Sequence, residues 1–146
     1  MAEHFGIYGL IFIASQALLV RKTRGPYNNL LDLPGGSPES GEEDLLATLR
    51  REIAEETGLT LDAVGPWHEF RFLVKEDSRG EPIEFVHTGL WASASVLSLG
   101  QQSALSQISS GDTAGTVWLP LQGWRMRNDL SALTKFVFAA VEGGSN

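Results

Sequence analysis

The chain has no cysteine among its 146 residues. That excludes disulfides and a thiolate metal site, and nothing points to secretion. Basic residues are scarce: 11 Lys and Arg stand against 18 Asp and Glu, a net charge of -7. A general grip on a nucleic-acid backbone needs a basic face, so no nucleic-acid partner is expected. A small anionic substrate stays open, because a cation can mediate its binding. A long apolar run is also missing. The stretch "FGIYGLIFIASQALLV" breaks at Ser15 and Gln16 and is too short to span a bilayer. The "MAEH" ahead of it offers no Lys or Arg for the basic start of a signal peptide. The expectation is a cytoplasmic protein with no membrane partner. Repeats and domain linkers are absent too, so residues 1–146 read as one domain, long enough for a real core.

What is present is ordered. "GIYGLIFIASQALLVRKTRG" reads as two strands around a turn at Ala14, Ser15 and Gln16, a hairpin whose second strand ends in Arg21, Lys22 and Arg24. The turn-rich "GPYNNLLDLPGGSPESG" follows, with an apolar insert at Leu30, Leu31 and Leu33. Ser40 and Glu43 have capping-box spacing, Leu45, Leu46, Leu49 and Ile53 recur at helical spacing, and Gly58 suits a helix C-terminus. A helix over about 42–57 is expected. "WHEFRFLVKED" and "IEFVHTGLWASASV" flank the turn "SRGEP" and read as a second hairpin. The polar "LGQQSALSQISSGDTAG" reads as a loop, and "TVWLPLQGW" as a strand stopped by Pro120. "NDLSALTKFVFAAVE" reads as a closing helix capped at Asn128 or Asp129. Strands on either side of a central helix, with a helix at the end, give a mixed α/β sandwich.

The stretch "RREIAEETG" gathers Glu52, Glu55 and Glu56 on one helix face near its C-terminus. Like charges at that spacing repel, and carboxylates face the unfavourable end of the helix dipole. A solvated acidic face is one explanation. Crowding at the disfavoured end, just after the glycine-rich "LPGGSPESGE", favours another. Hard cations such as Mg²⁺ and Mn²⁺ take oxygen ligands and bridge carboxylates to phosphates.

Together, "GGSPESGEEDLLATLRREIAEETGL" resembles the signature of the Nudix hydrolases, the MutT-like family, written G-x5-E-x7-R-E-U-x-E-E-x-G-U with U aliphatic. Arg51, Glu52, Ile53, Glu55, Glu56, Gly58 and Leu59 match it without a gap. The first half departs by one residue: eight residues, not seven, separate Glu42 from Arg51, so either Glu42 or Glu43 takes the first glutamate position.

The resemblance implies an α/β/α sandwich with a mixed sheet. It implies hydrolysis of a nucleoside diphosphate linked to another moiety, with Mg²⁺ or Mn²⁺ as cofactor. It makes Glu52, Glu56 and the Gly35 carbonyl metal ligands. Glu55 would bind a further metal or accept the proton from water, and Arg51 would orient a glutamate. Arg21, Lys22 and Arg24 are candidates for the substrate phosphates. Asp112 is a candidate general base. Tyr27, Phe72, Phe85, Trp91 and Trp118 are candidates to stack on a base. His68 and His87 receive no role. Subgroup markers such as the "SQPWPFP" array are absent, which leaves a nucleoside triphosphate as the default substrate by elimination. ADP-ribose, dinucleoside polyphosphates and nucleotide sugars are alternatives, as is a sensing module without catalysis. Family members are often homodimers.

Overall fold

A computed structural model of the chain describes residues 2–42, 44–97, 109–110 and 113–143. The chain opens with β1, Ala2–Ile13, and β2, Gln16–Lys22. Their turn places Ala14 and Ser15 at φ 52° and 65°, the left-handed pair that matches the twist of a two-residue hairpin. Phe12 then faces Ala17 across the ladder. Two short strands follow, β3 at Leu31–Asp32 and β4 at Gly35–Gly36, and then α1 at Leu45–Thr57. β5 is Leu61–Val64, and the second expected hairpin is β6, His68–Glu76, with β7, Pro82–Val96. β8, Ser109–Ser110, and β9, Thr113–Pro120, lead through a short 3₁₀ turn at Trp124–Met126 to α2, Ala132–Gly143.

The sheet is mixed. β1 runs parallel to β7, from Ala2 beside Phe85 to Ile11 beside Ala94, while β2 pairs antiparallel with β9. Alternation along the strands then sorts side chains to two faces. Ile7, Ile11 and Leu18 point to the α1 side and pack with Leu49, Ile53, Leu59 and Leu61. Leu10, Leu19, Leu33 and Trp91 point to the α2 side and pack with Leu133, Val137 and Phe138. Helix, sheet and helix form the three layers of the expected sandwich. No helix among the described residues is long and apolar enough to cross a membrane.

Both helix starts lie later than the sequence pattern indicates. Helix α1 begins at Leu45, not near 42, and its cap is Asp44, whose carboxylate accepts from the Ala47 N–H at 2.7 Å. Ser40 is not the cap, because Glu42 is held outside the helix: its carboxylate takes the Glu39 N–H at 2.7 Å and the Thr48 hydroxyl at 2.9 Å. Helix α2 is capped by Ser131, whose Oγ accepts from the Thr134 N–H, rather than by Asn128 or Asp129. The Asp129 carbonyl is instead bonded to the Leu31 N–H, and its carboxylate to Arg127. At the other end, Gly58 closes α1 at φ 75°, as its position indicated.

Candidate active site

Pairing of β4 with β1 sets the glycine loop against the sheet: Gly35 lies opposite Tyr8 and Gly36 opposite Ile7. The fit requires glycine. Gly35 has φ 149°, and a Cβ there would sit 2.1 Å from the Ile7 carbonyl oxygen. The last two turns of α1 pack on this loop. The Gly35 N–H donates to Glu56 Oε1 at 2.8 Å, and a Cβ on Gly36 would meet Glu52 Oε1 at 2.6 Å. Glu52 and Glu56 therefore flank bare backbone with their carboxylates.

Their electrostatics are those of acids short of positive charge. Glu56 is 3% exposed, and burial pushes its carboxyl up to about 8 against an ordinary 4.5, opposed by the Gly35 hydrogen bond and by Lys22. Burial also raises Glu52, opposed by Arg51. Asp32, three residues before Gly35, is buried and raised as well, although Ser131 Oγ donates to it at 2.7 Å.

Arg51 organises the other acids. Its Nε and Nη2 grip Glu42 at 2.6 and 3.1 Å, and Nη1 reaches Glu52 at 2.9 Å and Glu55 at 3.3 Å. Nη2 also donates to the Ser37 carbonyl at 3.0 Å, tying the loop to the helix. The bidentate contact lowers Glu42 to about 2. Glu42 is thus bound to Arg51, while Glu43 lies outside the described residues. Glu55 lies at the exposed edge, its side chain 50% accessible.

Of the basic candidates, Lys22 and Arg24 line a cavity of about 540 Å³ beside the glutamates, together with Tyr8, Tyr27, Asp32 and His87. Arg21 does not line it; its guanidinium donates to the Asn29 carbonyl at 2.8 Å. Asp112 falls outside the described residues, as does most of the polar loop before β9. Tyr27 and Phe85 reach the cavity wall, whereas Trp91 stacks on His68 at 4.5 Å between ring centres and Trp118 packs on the α1 side.

The sequence reading passed over Asp32 and gave His87 no role. Asp32 stands between Leu31 and Leu33, and His87 follows the apolar pair Phe85 and Val86 in a run of strand formers. A polar residue inside such a run is the signal that marks them.

The donor set suits a hard cation. Glu52, Glu56 and the Gly35 carbonyl offer only oxygen ligands; Glu52 is paired with Arg51, whereas the buried Glu56 is held by the Gly35 N–H. Among the described residues no three acidic or histidine side chains already converge on one point. Glu55 and Glu52 are drawn toward Arg51 instead, so a cation would compete with that guanidinium.

A Nudix domain model matches residues 4–132. The chain belongs to the Nudix hydrolase family. The matched span takes in the glycine loop, α1 and all of the sheet but the first two residues of β1 in this Nudix protein. Solved structures share the fold at low identity. The MutT Nudix hydrolase of Burkholderia pseudomallei is 19% identical, with 97% of this chain and 99% of that one covered at a TM-score of 0.65. The Nudix domain of NrtR from Shewanella oneidensis, solved with ADP ribose, is 21% identical over 98% and 89% of the chains, TM-score 0.69. A bifunctional NMN adenylyltransferase/ADP ribose pyrophosphatase from Francisella tularensis, solved with AMP and a manganese ion, is 17% identical over 97% and 42%, TM-score 0.66. No curated protein matches this sequence.

Proposed function

We propose that this Nudix protein hydrolyses the pyrophosphate bridge of a nucleoside diphosphate linked to another moiety, with Mg²⁺ or Mn²⁺ bound at Glu52, Glu56 and the Gly35 carbonyl. The observation that carries this reading is the pairing of two water-poor carboxylates with the glycine loop: Gly35 N–H to Glu56 at 2.8 Å, and Glu52 in the space of a missing Gly36 side chain. When bound, the divalent cation supplies neutralisation of phosphate charge and activation of water. The protein's own residues do the rest. Glu52 and Glu56 hold their places because the loop and α1 fix them. Arg51 holds Glu42 and steadies Glu52, so that the helix face keeps its spacing. Glu55, at the open edge, is placed to take a proton from water or to add a ligand. Lys22 and Arg24, at the cavity wall, meet the substrate phosphates. The rest of the substrate enters the cavity between Tyr8, Tyr27 and Phe85.

A (deoxy)nucleoside triphosphate, cleaved to the monophosphate and pyrophosphate, is the favoured substrate. ADP-ribose is the second reading, because a domain of the same fold was solved with it. The test is product release from nucleoside triphosphates, ADP-ribose, dinucleoside polyphosphates and nucleotide sugars in Mg²⁺. One panel member should yield a nucleoside monophosphate. Glu56→Gln should lower that rate by about 100-fold or more, the scale at which single groups in charge-stabilising sites act. Unchanged turnover in Glu56→Gln would remove Glu56 from the metal site.

A further inference from the structure

Strand β6 lies at an edge: it pairs with β7 and, among the described residues, with no other strand. Every second residue of such an edge turns its N–H and C=O outward, a template for another chain. Proline, a bulge or a very short strand commonly blunts an edge. β6 has nine residues and no proline. Its ladder with β7 is irregular near Lys75, but Val74 faces Phe85 and Glu76 faces Pro82, so the extra residue belongs to β7. The alternation of β6 is therefore unbroken. Phe70, Phe72 and Val74 face the α2 side, while Glu69, Arg71, Leu73 and Lys75 face the other side and are exposed.

Apolar surface adjoins this edge on both faces. Leu73 is 40% exposed on one. On the other, Phe136 of α2 is equally exposed and stacks on Phe72, with ring centres 5.4 Å apart. Ala139 and Ala140, one turn along, are exposed as well, and α2 carries no charge from Phe136 to Val141.

The charges of β6 choose one way of closing the edge. A strand that pairs antiparallel with its own copy does so about a two-fold axis, and facing side chains share a sheet face, so the axis is centred on one residue. Centred on Arg71, that arginine would oppose itself. Centred on Leu73, Arg71 would oppose Lys75, and Glu69 would oppose Asp77. Centred on Phe70 or Val74, only about half of the strand would overlap. Centred on Phe72, all of β6 overlaps. Glu69 then opposes Lys75 and His68 opposes Glu76, each twice. Phe70 opposes Val74, Phe72 opposes itself, and Arg71, held by its own Glu3 at 3.6 Å, lies opposite Leu73. Opposite charges face to face stabilise a ladder and like charges destabilise it, so the charges disfavour the neighbouring registers and support this one.

We propose that β6 is the interface of a homodimer: two copies join antiparallel through this strand, centred on Phe72, into one continuous sheet with both α2 helices on the same face. The partner is a second copy of this chain, recognised by backbone pairing, by Glu69 against Lys75, and by contact between the two Phe72–Phe136 stacks. β6 contributes none of the glutamates and none of the residues that line the cavity.

Sedimentation velocity over a wide concentration range tests this. The wild type should dimerise. Lys75→Glu and Glu69→Lys each set like charges opposite one another twice, and each should weaken dimerisation about tenfold or more. The double variant exchanges the two charges, restores the complementarity, and should return to within about threefold of the wild type. Both residues are exposed, so the fold should survive each change. The chain has no cysteine, so Phe72→Cys reports the register: its thiols face each other across the axis and should crosslink on oxidation. A wild type that stays monomeric up to its solubility limit would overturn the proposal. So would a dimer indifferent to both single reversals, or reversals that the double variant does not rescue. A Phe72→Cys variant that melts cooperatively and dimerises without crosslinking would contradict the register; if it fails to fold, the charge variants decide alone.

Discussion

Burial raises the Glu56 carboxyl strongly, and this makes the cation-free protein sensitive to pH. Its carboxyl titrates near 8 in the folded chain and near 4.5 when exposed. Between those values the folded state keeps a proton that the unfolded chain has released, so stability falls as pH rises from about 4.5 through 8. Glu56→Gln keeps an acceptor for the Gly35 N–H and removes the buried charge. In chelator, its melting temperature should exceed that of the wild type at pH 8.5 and match it more closely at pH 5. A variant no more stable than wild type at pH 8.5 would mean that Glu56 is already compensated. The same residue that costs stability without a cation is the one proposed to hold it, which is the physical sense of three glutamates at an unfavourable helix end.

Helix α1 was legible in its body and its C-terminus and misleading at its start. The apolar spacing of Leu49 and Ile53 and the glycine after Thr57 are local signals, and both act locally in the structure. The start was decided by tertiary demand. Glu42 is recruited by Arg51, nine residues on, which leaves Asp44 as the cap. Asp44→Ala should therefore cost about 0.5–2 kcal/mol, as lost caps do, and Ser40→Ala close to nothing. Chemical denaturation of the two variants would read the difference, and equal effects would contradict the assigned cap. Deeper in the helix, Leu49 is fully buried between α1 and the sheet. Leu49→Ala should cost about 2–5 kcal/mol by the same measurement, and a cost near zero would misplace the buried face.

At the scale of the molecule, the two hairpins were readable because each is closed by a short turn between strong strands. The parallel pairing of β1 with β7 was not, since its partners lie some eighty residues apart and no local pattern encodes it. The short strand β5 also escaped notice; with Asp62 inside it, it lacks an apolar run. The site divided in the same way. The glutamates and Gly35 were visible as one continuous motif. The cavity was not, because its residues come from β1, β2, β3 and β7, strands far apart in the chain, from Tyr8 to His87. That assembly places a cation-hungry loop and helix beside a chamber of nucleotide size, and the cation is the claim on which the whole reading turns. Calorimetric titration of Mn²⁺ into the wild type and Glu56→Gln addresses it directly. Saturable binding by the wild type, weakened at least tenfold in the variant, is the predicted result. Equal binding by the two proteins, or none by the wild type, would return Glu52, Glu55 and Glu56 to a merely acidic helix face.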